Sequence, residues 1–430
     1  MTSIVNVPLD PIWHGILGFV FYYPLLMSYV WMIGAVIFYW RNERTQPAYN
    51  NPPMLDEPPS VSILIPCYNE GPNADETIRH ALALDYPDFE VIAINDGSKD
   101  ETAEVLNRLT LEYPHLKVVH LAANQGKAMA LQAGSLIAKS EYLIGIDGDA
   151  LINKHAAHWM VRHFVAHPEV AAVTGNPRIR NRSTLIGRVQ VGEFSSIVGM
   201  IKRAQRSFGR LFTVSGVITA FRKSAVHDVG YWSADMLTED IDITWKLQRA
   251  GWDVRFEPNA MVWILMPETL KGLWQQRLRW AMGGAQVLIK NIDVFFKINQ
   301  NYLWPLMIEL CLTLVWSYLM LVLVVVWVIG WFHPVGWPEV GSPLIPKGSG
   351  IFLGATCLFQ FAVSKWLDGR YEKGLGRNYY WMIWYPLVFW VINVATTIAA
   401  FPKVLFRGDG KRARWVSPDR GIHQEEKKES

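Results

Sequence analysis

Two acidic clusters and one helix face carry the residue types that chemistry needs. Asp147-Gly148-Asp149 directly follows the apolar run Tyr142–Ile146. Paired carboxylates in that place can hold a hard divalent cation, Mg²⁺ or Mn²⁺, against a diphosphate while one of them also contacts the nucleotide. The spacing alone is weak evidence, because Asp240-Ile241-Asp242 repeats it and aspartates are common turn formers. Thr238-Glu239-Asp240 precedes a helix-like pattern from Ile241 to Leu247. An acidic pair there can simply favour a helix N-terminus. Alternatively, one carboxylate takes the proton from an attacking hydroxyl, a single base suited to an inverting displacement.

In Gln275-Gln276-Arg277-Leu278-Arg279-Trp280, positions 276, 279 and 280 share one helix face. Arg279 suits a departing pyrophosphate and Trp280 a stacked sugar. Leu270, Leu273, Trp274 and Leu278 fall on another face, and the ordinary reading is an amphipathic helix lying at a membrane surface. Lys127, in the loop Asn124-Gln125-Gly126-Lys127, can approach a uridine or phosphate, although a solvated lysine is the commoner fate. Tyr68 and Glu70 can hold the uridine in the same way. Cys67 reads as a packed small residue, since no partner histidine is identifiable. His155 and His158, or His163 and His167, have helical spacing but no carboxylate to complete a metal set, and are expected at the surface.

These residues need elements to carry them. The apolar runs Val61–Ile65, Val91–Ile94, Val118–Leu121 and Tyr142–Ile146 alternate with helical periodicity at Ala74–Leu84, Thr102–Leu111 and Lys127–Ala138. That alternation predicts an α/β domain with a mainly parallel sheet. Each strand ends in a polar cluster, among them Asn95-Asp96-Gly97-Ser98. Ligands of open α/β sheets bind outside the carboxyl ends of strands, so Tyr68, Glu70, Asp96, Lys127, Asp147 and Asp149 can share one crevice. This is a nucleotide-binding arrangement without a GxGxxG.

The ends of the chain are different. Of 430 residues 51% are hydrophobic, with 20 Trp, and the apolar excess lies in Ile12–Trp40 and, beyond Asn301, in Tyr302–Phe332, Ile351–Leu367 and Tyr379–Phe401. These read as four membrane spans. The first is too long for a signal-peptide core and reads as an anchor. Arg41 and Arg44 place the adjoining domain in the cytoplasm, and Arg370, Lys373 and Arg377 do the same for the loop between the last two spans. The basic tail, with Lys403, Arg407, Lys411, Arg412 and Arg414, disagrees with that parity. Three explanations stay open: a re-entrant or interfacial stretch around Pro386, a miscounted span, or a failure of the charge rule. The resulting division is 1–41 membrane segment, 42–59 linker, 60–266 soluble domain, 267–301 interfacial helices, 302–402 membrane helices and 403–430 tail. A net charge of +3 argues against nucleic acid as a partner. Three scattered cysteines, Cys67, Cys311 and Cys357, exclude a zinc ribbon and point to a reducing compartment.

Asp96 in Asn-Asp-Gly-Ser, Asp147-Gly-Asp149, Thr238-Glu-Asp240 and Gln276-x-x-Arg279-Trp280, in this order and between apolar ends, resemble the processive family 2 glycosyltransferases. The resemblance implies a GT-A-like, Rossmann-like fold inserted between transmembrane helices. It implies UDP binding at Asp96 and Asp147, with Asp149 as metal ligand for Mg²⁺ or Mn²⁺. It also makes Asp240 the base, next to Glu239, and puts Gln276, Arg279 and Trp280 at the junction of donor and acceptor. More narrowly, Val173–Arg180, Phe212–Gly216, Trp263–Trp274 and Arg412–Gly421 resemble PgaC-type poly-β-1,6-N-acetyl-D-glucosamine synthases, which build a biofilm exopolysaccharide. That likeness implies UDP-GlcNAc as donor, a nascent polysaccharide as acceptor and residence in the bacterial inner membrane. It further implies a small PgaD-like membrane subunit and control by cyclic di-GMP at the subunit interface. A chitin- or hyaluronan-like synthase shares the same motifs and is the nearest alternative. A non-catalytic membrane scaffold or transporter is a remote one, opposed by the intact carboxylate set.

Overall fold

A computed structural model describes residues 10–332, 348–372, 374–407, 412 and 413. Among the described residues, eight strands make one mixed sheet: β1 Val61–Cys67, β2 Phe89–Asn95, β3 Leu116–His120, β4 Tyr142–Ile146, β5 Leu151–Ile152, β6 Val170–Ile179, β7 Ile218–Arg222 and β8 Asp253–Ile264. Their order is β3-β2-β1-β4-β7-β6-β8-β5. The β-branched runs that bury both faces pair in parallel, β1 with β2 and β4, and β2 with β3. The predicted parallel sheet is therefore its first half. The second half is mixed, because β7 runs antiparallel to both β4 and β6, and β5 to β8. Short-range periodicity carries no sign of strand direction.

Helices α1 Asp10–Phe38, α2 Gly71–Leu82, α3 Thr102–Glu112, α4 Lys127–Ile137, α5 Ala156–Ala166, α6 Leu185–Glu193, α7 Lys202–Ser207, α8 Lys223–Asp228 and α9 Glu239–Arg249 precede β8 or flank the sheet. One core layer, with Ile78, Leu106 and Trp159, lies under α2, α3 and α5. The other, with Leu131, Ile243 and Leu247, lies under α4 and α9. Two packed faces hold the strand ends at fixed separation, which a site drawn from four loops requires. The predicted helices at 74–84, 102–111 and 127–138 are present as α2, α3 and α4.

After β8 come α10 Leu270–Lys290, α11 Trp304–Phe332, α12 Ser349–Asp368, α13 Leu375–Tyr379 and α14 Trp390–Leu405. Among the described residues, three helical stretches are long and apolar enough to cross a membrane: Pro11–Glu43, Ile298–Phe332 and Gly350–Asp368. The stretch 379–401 is not the single long helix its composition suggested. It is broken into the tight turn Tyr380–Trp384 and the wide turn Tyr385–Phe389, and only then enters α14. The 16 residues of α14 span about 24 Å, short of the roughly 30 Å hydrocarbon thickness. Just beyond it, Ala413 donates its N–H to Ala234 O at 2.8 Å, and Arg412 reaches Gln125. The start of the basic tail thus touches the α/β domain; Lys411 and the stretch from Arg414 to Gly421 lie outside the described residues.

A buried ion cluster joins the candidate membrane helices to the sheet domain. Arg203 on α7, fully buried, donates to Glu43 Oε1 at 2.6 Å and to Asp368 Oδ1 at 2.8 Å, and Arg178 of β6 donates to Asp368 Oδ2 at 2.8 Å. Glu43 ends the first apolar helix and Asp368 ends α12, so two cations of the domain neutralise the helix ends that meet it. Two expectations are corrected alongside. His155 and His158 are buried, not at the surface, and the His158 ring packs at a tilt against Tyr86 with ring centroids 4.8 Å apart. His163 does have a carboxylate, Glu257, at 2.9 Å, because β8 brings it across α5, 94 residues away. Among the described residues no group of three or more His, Cys, Asp and Glu is gathered as a metal site.

Candidate active site

The carboxyl ends of β1, β2 and β4 open onto a solvent-open cleft lined by Tyr68, Glu70, Asp96, Lys127, Asp147 and Gly148. The strand order reverses between β1 and β4, and this is the crevice where open sheets receive ligands. Gly148 sits in a tight place: a side chain there would crowd Pro66 O and Cys67 Sγ, at the end of the adjacent strand. Asp96 is 2% exposed and accepts the backbone N–H groups of Gln125 at 2.7 Å and Gly126 at 2.8 Å. Burial raises its pKa, and those two bonds act in the opposite sense. Gly126 has φ +91°, a conformation that suits glycine, and it delivers Lys127 to the first turn of α4.

Lys127 is not the solvated lysine of the ordinary reading. Its Nζ lies 2.5 Å from Asp147 Oδ1, 3.2 Å from Glu239 Oε1 and 3.0 Å from Gly216 O. One ammonium therefore links the Asp147-Gly-Asp149 turn to the Thr238-Glu-Asp240 turn, two segments far apart in the sequence. Burial disfavours its charge, yet the carboxylates around it hold its pKa above the usual lysine value.

Glu239 and Asp240 do open a helix, α9, as the macrodipole reading also required. Asp240 accepts the N–H of Gly216 at 3.2 Å. Burial and the neighbouring Glu239 push its pKa up to about 6, while Lys127, Arg279 and the Gly216 N–H pull it down. A carboxylate with that balance is ionised at neutral pH and still basic enough to accept a proton. The 211–216 segment is pinned to α9: Val214 donates to Thr244 Oγ1 at 2.9 Å, and Trp245 Nε1 donates to Phe212 O at 3.1 Å.

The third part arrives on α10. Gln276 is buried with its amide donating weakly to Met266 Sδ at 3.7 Å, and Arg279 lies near enough to Asp240 to act on its charge. The outward apolar face is only partly as expected. Leu270 and Trp274 are exposed, but Leu273 is fully buried against Val189, Phe361 and Met382, because α6, α12 and the Tyr380–Trp384 turn cover that side of α10. Asp149, expected as a metal ligand, is 5% exposed beside Asp147.

Two residues at the site carried no assigned role in the sequence. Gly216 touches both Lys127 and Asp240; the run Phe212–Gly216 pointed to it only through resemblance. Lys202 is buried, donates to Ser215 Oγ at 2.6 Å and Thr174 Oγ1 at 3.3 Å, and is pushed down to about 7 by burial against the pull of Asp240. Nothing in its local sequence marks it off from a surface lysine.

Residues 58–283 match the family described as glycosyltransferase like family 2. The chain is 40% identical over 408 residues to the poly-beta-1,6-N-acetyl-D-glucosamine synthase of Staphylococcus aureus strain COL, covering 95% of this chain and 99% of that one. It is 38% identical over 416 residues to the synthase of the same name from Staphylococcus epidermidis ATCC 35984, covering 94% and 98%. Among solved structures, a mannosyltransferase from Pyrobaculum calidifontis in complex with GDP-Man and Mn²⁺ shares the fold, with a TM-score of 0.57 at 19% identity over 91% of this chain and all of that one.

Proposed function

On the premise that the chain belongs to glycosyltransferase family 2, we propose that it polymerises N-acetylglucosamine from UDP-GlcNAc into poly-β-1,6-N-acetyl-D-glucosamine by repeated inverting transfer. The observation that carries this reading is Lys127, which stands 2.5 Å from Asp147 and 3.2 Å from Glu239. It joins the donor cleft and the base turn into one site.

Tyr68, Glu70 and Asp96 take the nucleotide end of the cleft, and Asp147 with Lys127 the diphosphate end. Asp147 and Asp149 would hold Mg²⁺ or Mn²⁺; two adjacent carboxylates fit an ion that completes its shell with water and substrate phosphates. When bound, that cation neutralises charge on the diphosphate. Asp240 accepts the proton of the acceptor 6-hydroxyl as its oxygen forms a bond to C1 of the donor sugar. The bond from C1 to the phosphate oxygen breaks on the opposite face, and UDP leaves with that electron pair. Inversion of an α-linked donor gives the β linkage. Arg279 donates charge-assisted hydrogen bonds to the departing pyrophosphate, and Trp280 stacks on the acceptor sugar. Thr238 Oγ1 and Gln276 Oε1 are buried without a hydrogen-bond partner among the described residues, and sugar hydroxyls would satisfy both, since an orphaned buried polar atom is costly.

The wider setting belongs to the same proposal: residence in the bacterial inner membrane with the catalytic domain cytoplasmic, a PgaD-like subunit, cyclic di-GMP control and export coupled to synthesis. The short α14 and the tail contact at Ala234 favour a re-entrant or interfacial 375–405 stretch, which brings the basic tail back to the cytoplasmic side and removes the parity conflict. Membranes holding the protein and any required subunit should incorporate labelled sugar from UDP-GlcNAc, and Asp240→Asn should abolish incorporation while retaining UDP binding. Normal polymerisation by the Asn variant would refute the base assignment, and 1,4-linked product would refute the polymer identity.

A further inference from the structure

One buried ion pair next to the site has no part in the proposed chemistry. α6 ends at Glu193, and the next residues, Phe194–Ile201, widen into a π-helix. Such segments are rare and often sit at functional places. Glu193 is 1% exposed. Its Oε2 accepts from Arg277 Nη2 at 2.5 Å, and its Oε1 accepts from the Tyr385 hydroxyl at 3.2 Å. Tyr385 belongs to the apolar stretch that leads into α14, and Asn393 on α14 donates to its hydroxyl oxygen at 3.5 Å.

On its other side the same pair meets the acceptor motif. The guanidinium carbon of Arg277 stands 4.6 Å over the Trp280 ring, and the Phe194 ring centroid is 6.3 Å from it. Trp280 therefore rests on a guanidinium and a phenyl group whose positions both depend on the end of α6. A desolvated cation under an aromatic face is held strongly, but only while its charge is compensated. A buried guanidinium that loses its carboxylate moves toward water or distorts its surroundings. Sequence distance hid this arrangement, since Glu193, Arg277 and Tyr385 come from three separate segments.

We propose that Glu193 is a positioning residue for the acceptor: it fixes Arg277 beneath Trp280 and ties that platform to Tyr385 of the membrane-side stretch. The inference rests on the reading of Trp280 as the ring that stacks on the acceptor sugar. A firmly oriented ring keeps the growing chain seated between additions. A loosened ring lets the chain leave early and lets water take its place, so that UDP-GlcNAc is hydrolysed to UDP and free N-acetylglucosamine. The donor cleft lies elsewhere, at the ends of β1 and β4, and is untouched.

The test uses the full chain in membranes, with wild type, Glu193→Gln, Arg277→Lys, Tyr385→Phe and Trp280→Ala compared for UDP released, sugar incorporated and product length. Glu193→Gln and Arg277→Lys should shorten the product several-fold and raise UDP released per sugar incorporated, with KM for UDP-GlcNAc within twofold of wild type. Tyr385→Phe should move both in the same direction by less. If Glu193→Gln fails to accumulate, the Arg277 and Tyr385 variants decide alone. Wild-type product length and release ratio in these variants, even with lowered kcat, would overturn the proposal, because a merely structural role slows turnover without changing either. Changed products from Trp280→Ala beside unchanged products from the Glu193, Arg277 and Tyr385 variants would sink the positioning link alone. Unchanged products from Trp280→Ala would instead sink the acceptor reading, and this inference with it.

Discussion

Gly283 of α10 lies directly against Thr238, the residue just before α9, with no room for a methyl group: a Cβ at 283 would overlap the Thr238 side chain. The contact sets the spacing between the helix bearing Gln276, Arg279 and Trp280 and the turn bearing Glu239 and Asp240. A second bond, from the Leu237 N–H to Gln286 Oε1 at 2.9 Å, fixes the same junction.

Gly283→Ala should therefore separate the two motifs. Forcing a methyl into a packed contact costs about 1–3 kcal/mol, and a loss of that size in transition-state placement lowers rate by roughly fivefold to a hundredfold. Polymer synthesis should fall to that extent while UDP binding, measured by calorimetry on solubilised protein, stays within twofold. An alanine variant with wild-type kcat would show the junction to be slack.

As the proposed base, Asp240 should set the acid side of the pH profile. Its pKa is pushed to about 6, first by burial and then by Glu239, and is pulled back by Lys127, Arg279 and the Gly216 N–H. A base works ionised, so kcat should be constant above that value and fall below it. Lys127→Met removes a compensating positive charge and should move the acid limb to higher pH; Glu239→Gln removes a like charge and should move it lower. Initial rates measured across the mildly acidic to neutral range read both, and a flat wild-type profile would contradict the assignment.

Chelation tests the Asp147–Asp149 pair. EDTA should abolish incorporation and Mn²⁺ or Mg²⁺ restore it, and Asp149→Asn should raise the metal concentration for half-maximal rate at least about tenfold, since two carboxylates and the diphosphate share the ion. Full activity in EDTA would exclude this role.

The ion cluster at the base of the candidate membrane helices predicts a stability effect. Arg203 is fully buried between Glu43 and Asp368, and removing it leaves two buried carboxylates with less compensation. Arg203→Met should destabilise the protein by about 3–5 kcal/mol, the usual effect of breaking a buried pair. A marked drop in thermal midpoint in detergent would be read by tryptophan fluorescence, whereas an unchanged midpoint would mean the cluster contributes little.

What was legible in the sequence was local. The strands β1 to β4 and helices α2 to α4 follow from apolar period and turn chemistry, which depend on neighbours a few residues away. The residues proposed for the site, Asp147, Asp149, Asp240, Gln276, Arg279 and Trp280, were picked out by their joint order along the chain and its resemblance to a known family, since the spacing of each motif alone is weak evidence. Composition also marked the membrane-type ends, although it read 379–401 as one span where the chain breaks at Tyr380 and Tyr385 before α14. Only tertiary structure settled partnerships across long separations. The antiparallel β7, the burial of His158, the bridge of Lys127 between Asp147 and Glu239 and the close contact of Gly283 on Thr238 all join segments distant in sequence. Their physical cause is packing: burying both faces of a mixed sheet selects strand directions, and strand directions decide which loop ends meet.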